Sequence, residues 1–116
     1  MNRRDSQKAI CARVGAEFVE CAAAEKLGIA LSTLGQLPLN ALRTVPEHGT
    51  CGWYVWGGCE MSTDDDFFQP LHVSHIADHC QLIEPYLGLA PGWRVQVAPG
   101  YEDVWFDARL LNGPDA

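Results

Sequence analysis

From Ser6 to Glu25 the apolar residues Ile10, Val14, Phe18, Cys21 and Ala22 recur at spacings of three and four. Asp5 or Ser6 can cap the first turn, so the pattern predicts an amphipathic helix, weakened slightly by Gly15. The next run, Leu27 to Leu34, is short, apolar and broken by Gly35 and Pro38, which predicts a buried strand. Gly35 to Thr50 is expected to be a packed loop, because it still carries Leu37, Leu39, Leu42 and Val45. Gly52 to Trp56 reads as a second strand, with Trp53 and Val55 facing one way and Tyr54 and Trp56 the other. Both faces are apolar, as suits a central strand covered on both sides.

After Trp56 the chain runs GGCEMSTDDDFF, where two glycines permit a turn and Asp64, Asp65 and Asp66 suit a loop or the start of a helical turn. Ser74 to Leu87 predicts a helix through Ile76, Cys80, Ile83 and Leu87, broken by Pro85 and stopped at Gly88. Trp93, Val95 and Val97 then alternate with Arg94 and Gln96, Pro99-Gly100 supplies a turn, and Val104 and Phe106 alternate with Asp103, Trp105 and Asp107. This predicts a C-terminal β-hairpin with Val104 and Phe106 inward. Trp105 then points outward between two carboxylates, where it needs a covering element or a partner. The fold class is α+β: an N-terminal helix, a mostly antiparallel sheet of about four strands with a C-terminal hairpin, and a broken helix before that hairpin. One domain is expected over residues 1–116, with 1–27 as the helical part and 28–111 as the sheet and broken helix.

Composition narrows the function classes. A chain of 116 residues has room for one core, which excludes two catalytic domains. Eight Lys plus Arg against fifteen Asp plus Glu give a net charge of −7, so nucleic acid and anionic membrane surfaces are repelled rather than attracted. The acids are concentrated late: residues 1–45 hold six basic and four acidic groups, whereas 46–116 hold Arg94 and Arg109 against eleven acids. The first residues lack an apolar signal region and the five cysteines lack framework spacing, so a reducing, cytosolic location is expected. No cofactor is expected.

Candidate chemistry is sparse. His72, His75 and His79 would place two imidazoles four residues apart on a helical face, the basis of one alternative, a small metal-dependent hydrolase. No HExxH pattern accompanies them, and solvated surface histidines are the plainer reading. A cysteine nucleophile would need a base from elsewhere in the fold, since Cys80 and His79 are helix neighbours that do not face each other. GWYVWGG has glycines but no phosphate-binding lysine. What remains is a set of acids interleaved with aromatics: Trp56, Glu60, Asp64, Asp65, Asp66, Phe67 and Phe68, then Tyr101, Glu102, Asp103, Trp105 and Asp107. Buried aromatic anchors supply interface energy and charge complementarity supplies on-rate and selectivity, so the set suits docking onto a basic protein surface. Against this stands the ordinary use of such aromatics as core.

The motifs Gly52-Trp53-Tyr54 with Trp56, Asp66-Phe67-Phe68, Pro70-Leu71-His72, Leu87-Gly88-Leu89, Pro91-Gly92-Trp93-Arg94 and Tyr101-Glu102-Asp103-Val104-Trp105 occur in an order that resembles a family of small bacterial domains. That family is the thirty-third immunity family of polymorphic toxin systems and its relatives, and the resemblance covers roughly residues 49–111, leaving the N-terminal helix without a match. It implies a non-enzymatic antitoxin that binds a cognate protein toxin in the cytosol, with no catalytic residues to carry over. A basic nuclease is the kind of toxin that the acidic second half would suit, because nucleic-acid enzymes carry positive clefts. A structural adaptor without a toxin is the third alternative.

Overall fold

In a computed structural model, which describes residues 3–47, 49–58 and 67–112, the N-terminal helix α1 is shorter than its apolar pattern, running from Arg3 to Val14. Gly15 stops it by taking a φ of +79°, and Ala16 N–H then donates to Cys11 C=O at 2.8 Å, the glycine-closed helix end that satisfies an orphan carbonyl. The expected continuation to Glu25 is therefore not helical. Phe18 instead forms an antiparallel bridge with Leu89, and Val19 N–H donates to Gly88 C=O at 2.8 Å. Phe18 and Cys21 still pack on the core, which is why their spacing mimicked a helix.

Six strands of the described residues form one sheet: β1 (Lys26–Ile29), β2 (Leu39–Arg43), β3 (Thr50–Gly57), β4 (Gln69–His72), β5 (Trp93–Ala98) and β6 (Tyr101–Phe106). Their order is β4-β1-β3-β2-β5-β6, with β1 and β3 parallel and the other neighbours antiparallel. The α+β class and the C-terminal hairpin stand as expected, while the strand count is six rather than four. Both additional strands lay in segments without a clean strand signal. β2 lies inside the expected loop of residues 35–50 and is buried at all five positions. β4 carries Pro70, tolerated because the strand is at the sheet edge. The first apolar run is a strand only to Ile29, after which Leu31–Thr33 turn as a 3-10 helix.

The broken helix before the hairpin is broken more thoroughly than Pro85 alone required. Val73–His75 make a 3-10 turn, Ile76–His79 one turn of α2, and Glu84–Tyr86 a second 3-10 turn with Pro85 in its first positions. Cys80 leaves the helical region at φ −156°, before the proline is reached. These turns and α1 cover one face of the sheet, burying Trp53, Val55, Ile76, Ile83, Leu87 and Val95 among others. No helix of the described residues is long and apolar enough to cross a membrane.

Within this core sits Arg43, at 1% exposure. A guanidinium stays cationic in proteins, so burying one requires acceptors for its fork of donors. Here they are main-chain oxygens: Nε donates to Cys51 C=O at 2.8 Å, and Nη1 to Val19 C=O at 2.7 Å and Leu89 C=O at 2.8 Å. The same cation lies 5.8 Å from the centroid of the Trp53 ring, whose Nε1 donates to Leu87 C=O at 2.9 Å. One side chain thus joins β2, β3, the irregular segment after α1 and the turn before β5. Arg43→Met keeps the volume but leaves carbonyls without donors, and should destabilise the chain by roughly 3 kcal/mol or more. Urea denaturation monitored by Trp fluorescence checks this; an unchanged midpoint would show that the carbonyls find water instead.

Candidate functional site

Alternation along the strands assigns side chains to two faces. Cys51, Trp53 and Val55 of β3, Leu39 and Ala41 of β2, and Val95 and Val97 of β5 belong to the main core. The opposite face is organised by register into rows. Gly28, Tyr54, Leu42, Arg94 and Trp105 lie across one row, and Trp56, Asn40, Gln96 and Asp103 across the next. The second row is held by polar contacts: Tyr101 OH donates to Gln96 Oε1 at 3.2 Å, Gln96 Nε2 to Asn40 Oδ1 at 3.0 Å, and Asn40 Nδ2 to Gly58 C=O at 2.6 Å. Buried Asn40 is thereby satisfied, so the middle of this face is rigid.

The ends of the face differ in chemistry. At the β1–β3–β4 end, Phe68 meets Tyr54, Trp56 and Phe67 edge-on at centroid distances of 5.2, 6.2 and 4.8 Å. Beside them is a cleft of about 180 Å³ whose lining includes Gly28, Gly52, Tyr54, Phe68 and Pro70. A Cβ on Gly28 would come within 2.8 Å of the Tyr54 ring, so glycine there keeps the cleft floor open. At the β5–β6 end, Arg94 lies 5.7 Å from the Trp105 ring centroid and reaches Asp107 Oδ2 at 3.1 Å. Arg109, from the closing 3-10 turn Ala108–Asn112, donates to both oxygens of Asp107 at 2.9 Å. Leu110 of that turn packs toward Leu42 and Trp56, covering the middle of the face.

The aromatic and acidic residues picked out in the sequence separate into distinct groups. Trp105 (37% exposed) and Asp103 stand on the open face, and Phe67 and Phe68 are half-buried there. Trp56 is on the same face but only 6% exposed, with its indole Nε1 buried and unpartnered among the described residues. Glu102 points to the other face, where Arg13 binds it through both nitrogens at 2.8 and 2.9 Å and Tyr86 OH donates to it. Arg13 first, then Tyr86, holds the Glu102 carboxyl below its ordinary range, while burial and then Glu102 push the Tyr86 phenol up. Asp107 is buried and consumed by its two arginines, so it belongs to the fold rather than to a solvated acidic surface. Glu60, Asp64, Asp65 and Asp66 lie outside the described residues. Phe106, expected inward, shares the core-side face with Val104 yet is 49% exposed, because β6 is an edge strand and the core stops short of it; it stacks edge-on with Trp93 at 5.7 Å.

Tyr54 and Arg94 complete the open face and were not singled out as site residues. The alternation placed Tyr54 beside Trp56, but only the sheet order shows that nothing covers its ring fully, leaving it 38% exposed. The histidines behave differently from the metal-site alternative. His72 and His75 approach at a ring distance of 6.3 Å and His75 Nδ1 lies 3.6 Å from Asp78, but no group of three or more His, Cys, Asp or Glu residues among those described could hold an ion. Cys51 is buried beside Cys21, and the interaction of the two thiols lowers that of Cys51 while it raises that of Cys21. The other charged groups acting on the pair are Arg43 and Glu25, so a Cys–His dyad is not what lowers Cys51.

A family model described as the Imm33-like domain matches residues 6–107. No curated protein and no solved structure matches the chain. The matched region is wider than the motifs suggested, since it takes in most of α1, and it runs as far as Asp107.

Arg109 and then Arg94 hold the Asp107 carboxyl well below the usual carboxylate range. A carboxyl depressed in the folded state contributes stability that is complete above its unfolded value of roughly 4 and is lost as pH falls through the folded value. Asp107→Asn should therefore lower the melting temperature at pH 7, and the deficit relative to wild type should shrink steadily below about pH 4. Thermal melts between pH 2 and pH 7 read this directly, and a deficit independent of pH would assign the loss to packing rather than charge.

Proposed function

The chain belongs to the Imm33-like family, and on that premise we propose that it is an immunity protein that neutralises a cognate bacterial toxin by direct protein–protein binding, without catalysis, in the cytosol. The observation that carries the reading is the open sheet face. Tyr54 and Trp105 are each more than one-third exposed at opposite ends of it, with the cleft over Gly28 beside the first and Asp103 beside the second. Aromatic anchors rimmed by charge are how interfaces gain both energy and selectivity.

The acidic balance gives the partner its sign. A net charge of −7, with the acids concentrated after residue 45, favours encounter with a basic surface such as the cleft of a nuclease toxin. Glu102 and Asp107 are neutralised internally, so among the hairpin carboxylates the electrostatic contribution on this face falls to Asp103. Glu60 and Asp64 to Asp66, which lie outside the described residues, add to the acidic charge of the chain in this reading. Binding then occludes the toxin's positive cleft, and a rise in salt weakens it by slowing association.

A variant combining Trp105→Ala with Asp103→Lys tests the surface. It removes one exposed aromatic and reverses one charge, while leaving the Asn40–Gln96 contacts and the core intact. Folding, followed by circular dichroism, should be preserved, while affinity for a basic toxin encoded beside this chain should fall by roughly 100-fold. Co-expression supplies the readout in cells: the wild-type chain restores growth against the toxin and the variant does not. Equal protection by both proteins would remove this face from the interface, and failure of the wild-type chain to protect would remove neutralisation itself.

A further inference from the structure

The two edges of the sheet are unequal. β4, at one edge, has four residues and includes Pro70, a residue that cannot donate to an added strand. β6, at the other, has six residues without proline or lysine, and its register with β5 is unbroken from Trp93↔Phe106 to Ala98↔Tyr101. Asp107 N–H donates to Gly92 C=O at 2.7 Å. Because main-chain groups alternate in direction along an antiparallel strand, Tyr101, Asp103 and Trp105 also turn theirs toward β5. The N–H and C=O of Glu102, Val104 and Phe106 therefore face away from the sheet. Edge rows of this kind are templates for another strand, and among the described residues β6 lacks the proline, lysine or register break that blunts an edge, its charges being the carboxylates of Glu102 and Asp103.

We infer that β6 pairs antiparallel with β6 of a second copy of this chain, about a two-fold axis through Val104, joining the two sheets edge to edge. The side-chain sequence selects both the partner and the register. With Val104 opposite Val104 of the second copy, Glu102 faces Phe106, Asp103 faces Trp105 and Tyr101 faces Asp107. No two carboxylates oppose each other, and every outward main-chain group meets its complement. Moving the axis to Glu102 or Asp103 sets identical carboxylates face to face, and moving it to Trp105 opposes Asp103 to Asp107. Arg94, stacked on Trp105, lies on the same side as Asp103 of the second copy and adds attraction there. The half-exposed Phe106, which the core leaves uncovered, gains the aliphatic stem of Glu102 as a cover. Edge pairing alone buries less than a standard interface, so the dimer is weak, with a Kd on the order of 100 µM. This inference does not depend on the toxin-binding reading.

Sedimentation equilibrium of the full chain, from about 10 µM to about 1 mM at physiological salt, should show a reversible monomer–dimer equilibrium. Raising the salt should strengthen it, because two copies of like net charge repel. Trp105→Asp places a carboxylate against Asp103 of the second copy on both sides of the axis, and should raise the dimer Kd at least about tenfold. Adding Asp103→Lys to Trp105→Asp sets lysine against aspartate in the same register, and should return the Kd to within about threefold of wild type. Should Trp105→Asp fail to fold, Val104→Pro removes one outward N–H at the axis while sparing every bond to β5, and should give the same loss. A chain that stays monomeric over the whole range overturns the inference, including the case in which the edge accepts only a strand from another protein. So does a dimer indifferent to Trp105→Asp, or a double variant that does not reassociate.

Discussion

A buried cation held by main-chain carbonyls organises this domain. Arg43 stands at the end of the buried strand β2 and gives its donors to carbonyls of Val19, Cys51 and Leu89, which belong to three different parts of the chain. Two of those parts, the segment after α1 and the turn before β5, have no strand or helix of their own to satisfy their main-chain oxygens, so the guanidinium does for them what a hydrogen-bond ladder does elsewhere. Trp53 completes the arrangement by lying against the cation and donating to Leu87 C=O. Close approach of β2 and β3 beside Cys51 is a condition for it: Gly52 has a φ of +91°, and a Cβ there would come within 2.2 Å of Thr44 C=O.

With one face of the sheet closed in this way, the other is left to present aromatics. The carboxylates around the C-terminal hairpin are divided by what stands opposite them. Glu102 turns to the core side and meets Arg13 and Tyr86, Asp107 is enclosed by Arg94 and Arg109, and Asp103 alone of the three remains exposed on the open face. Net charge therefore overstates how acidic the hairpin surface is. Much of the hairpin's negative charge is spent on fixing the C-terminal 3-10 turn and α1 against the sheet, and what is left for a partner is one carboxylate beside a tryptophan already stiffened by Arg94. A rigid aromatic loses little entropy on docking, which makes such a pair more useful than its charge alone suggests.

The sequence was legible where a residue's partner lies close along the chain. The hairpin from Trp93 to Phe106 was readable because alternation and the Pro99-Gly100 turn specify each other locally, and the two-faced character of β3 was readable because both faces are apolar. β2 was not, since Asn40 and Arg43 look like loop residues until Gly58, Gln96 and the distant carbonyls that satisfy them are in place. The helix was overextended for the converse reason: Phe18 and Cys21 point to the core from an irregular segment, so burial continued the period after Gly15 had ended the helix. The same limit applies to the site. The outward placement of Trp105 and Asp103 was readable from alternation, but Asp107 shares their spacing and is enclosed by Arg94 from β5 and by Arg109 folded back over it from two residues later.

The inequality of the two sheet edges bears on how the open face is used. An antiparallel pair about an axis normal to the sheet brings equivalent faces to the same side, so two copies joined at β6 present their aromatic faces on one side, with the Asp103–Trp105 contacts at the seam. If the open face also docks a basic toxin, as proposed, the seam and that surface share residues, and electrostatics sets their competition. Two chains of like charge associate less readily at low salt, whereas an acidic chain and a basic partner associate more readily. A basic protein therefore gains on the second copy wherever screening is weak, and because the self-pair buries little, a partner that covers Trp105 and the cleft beside Tyr54 displaces it without needing an exceptional affinity.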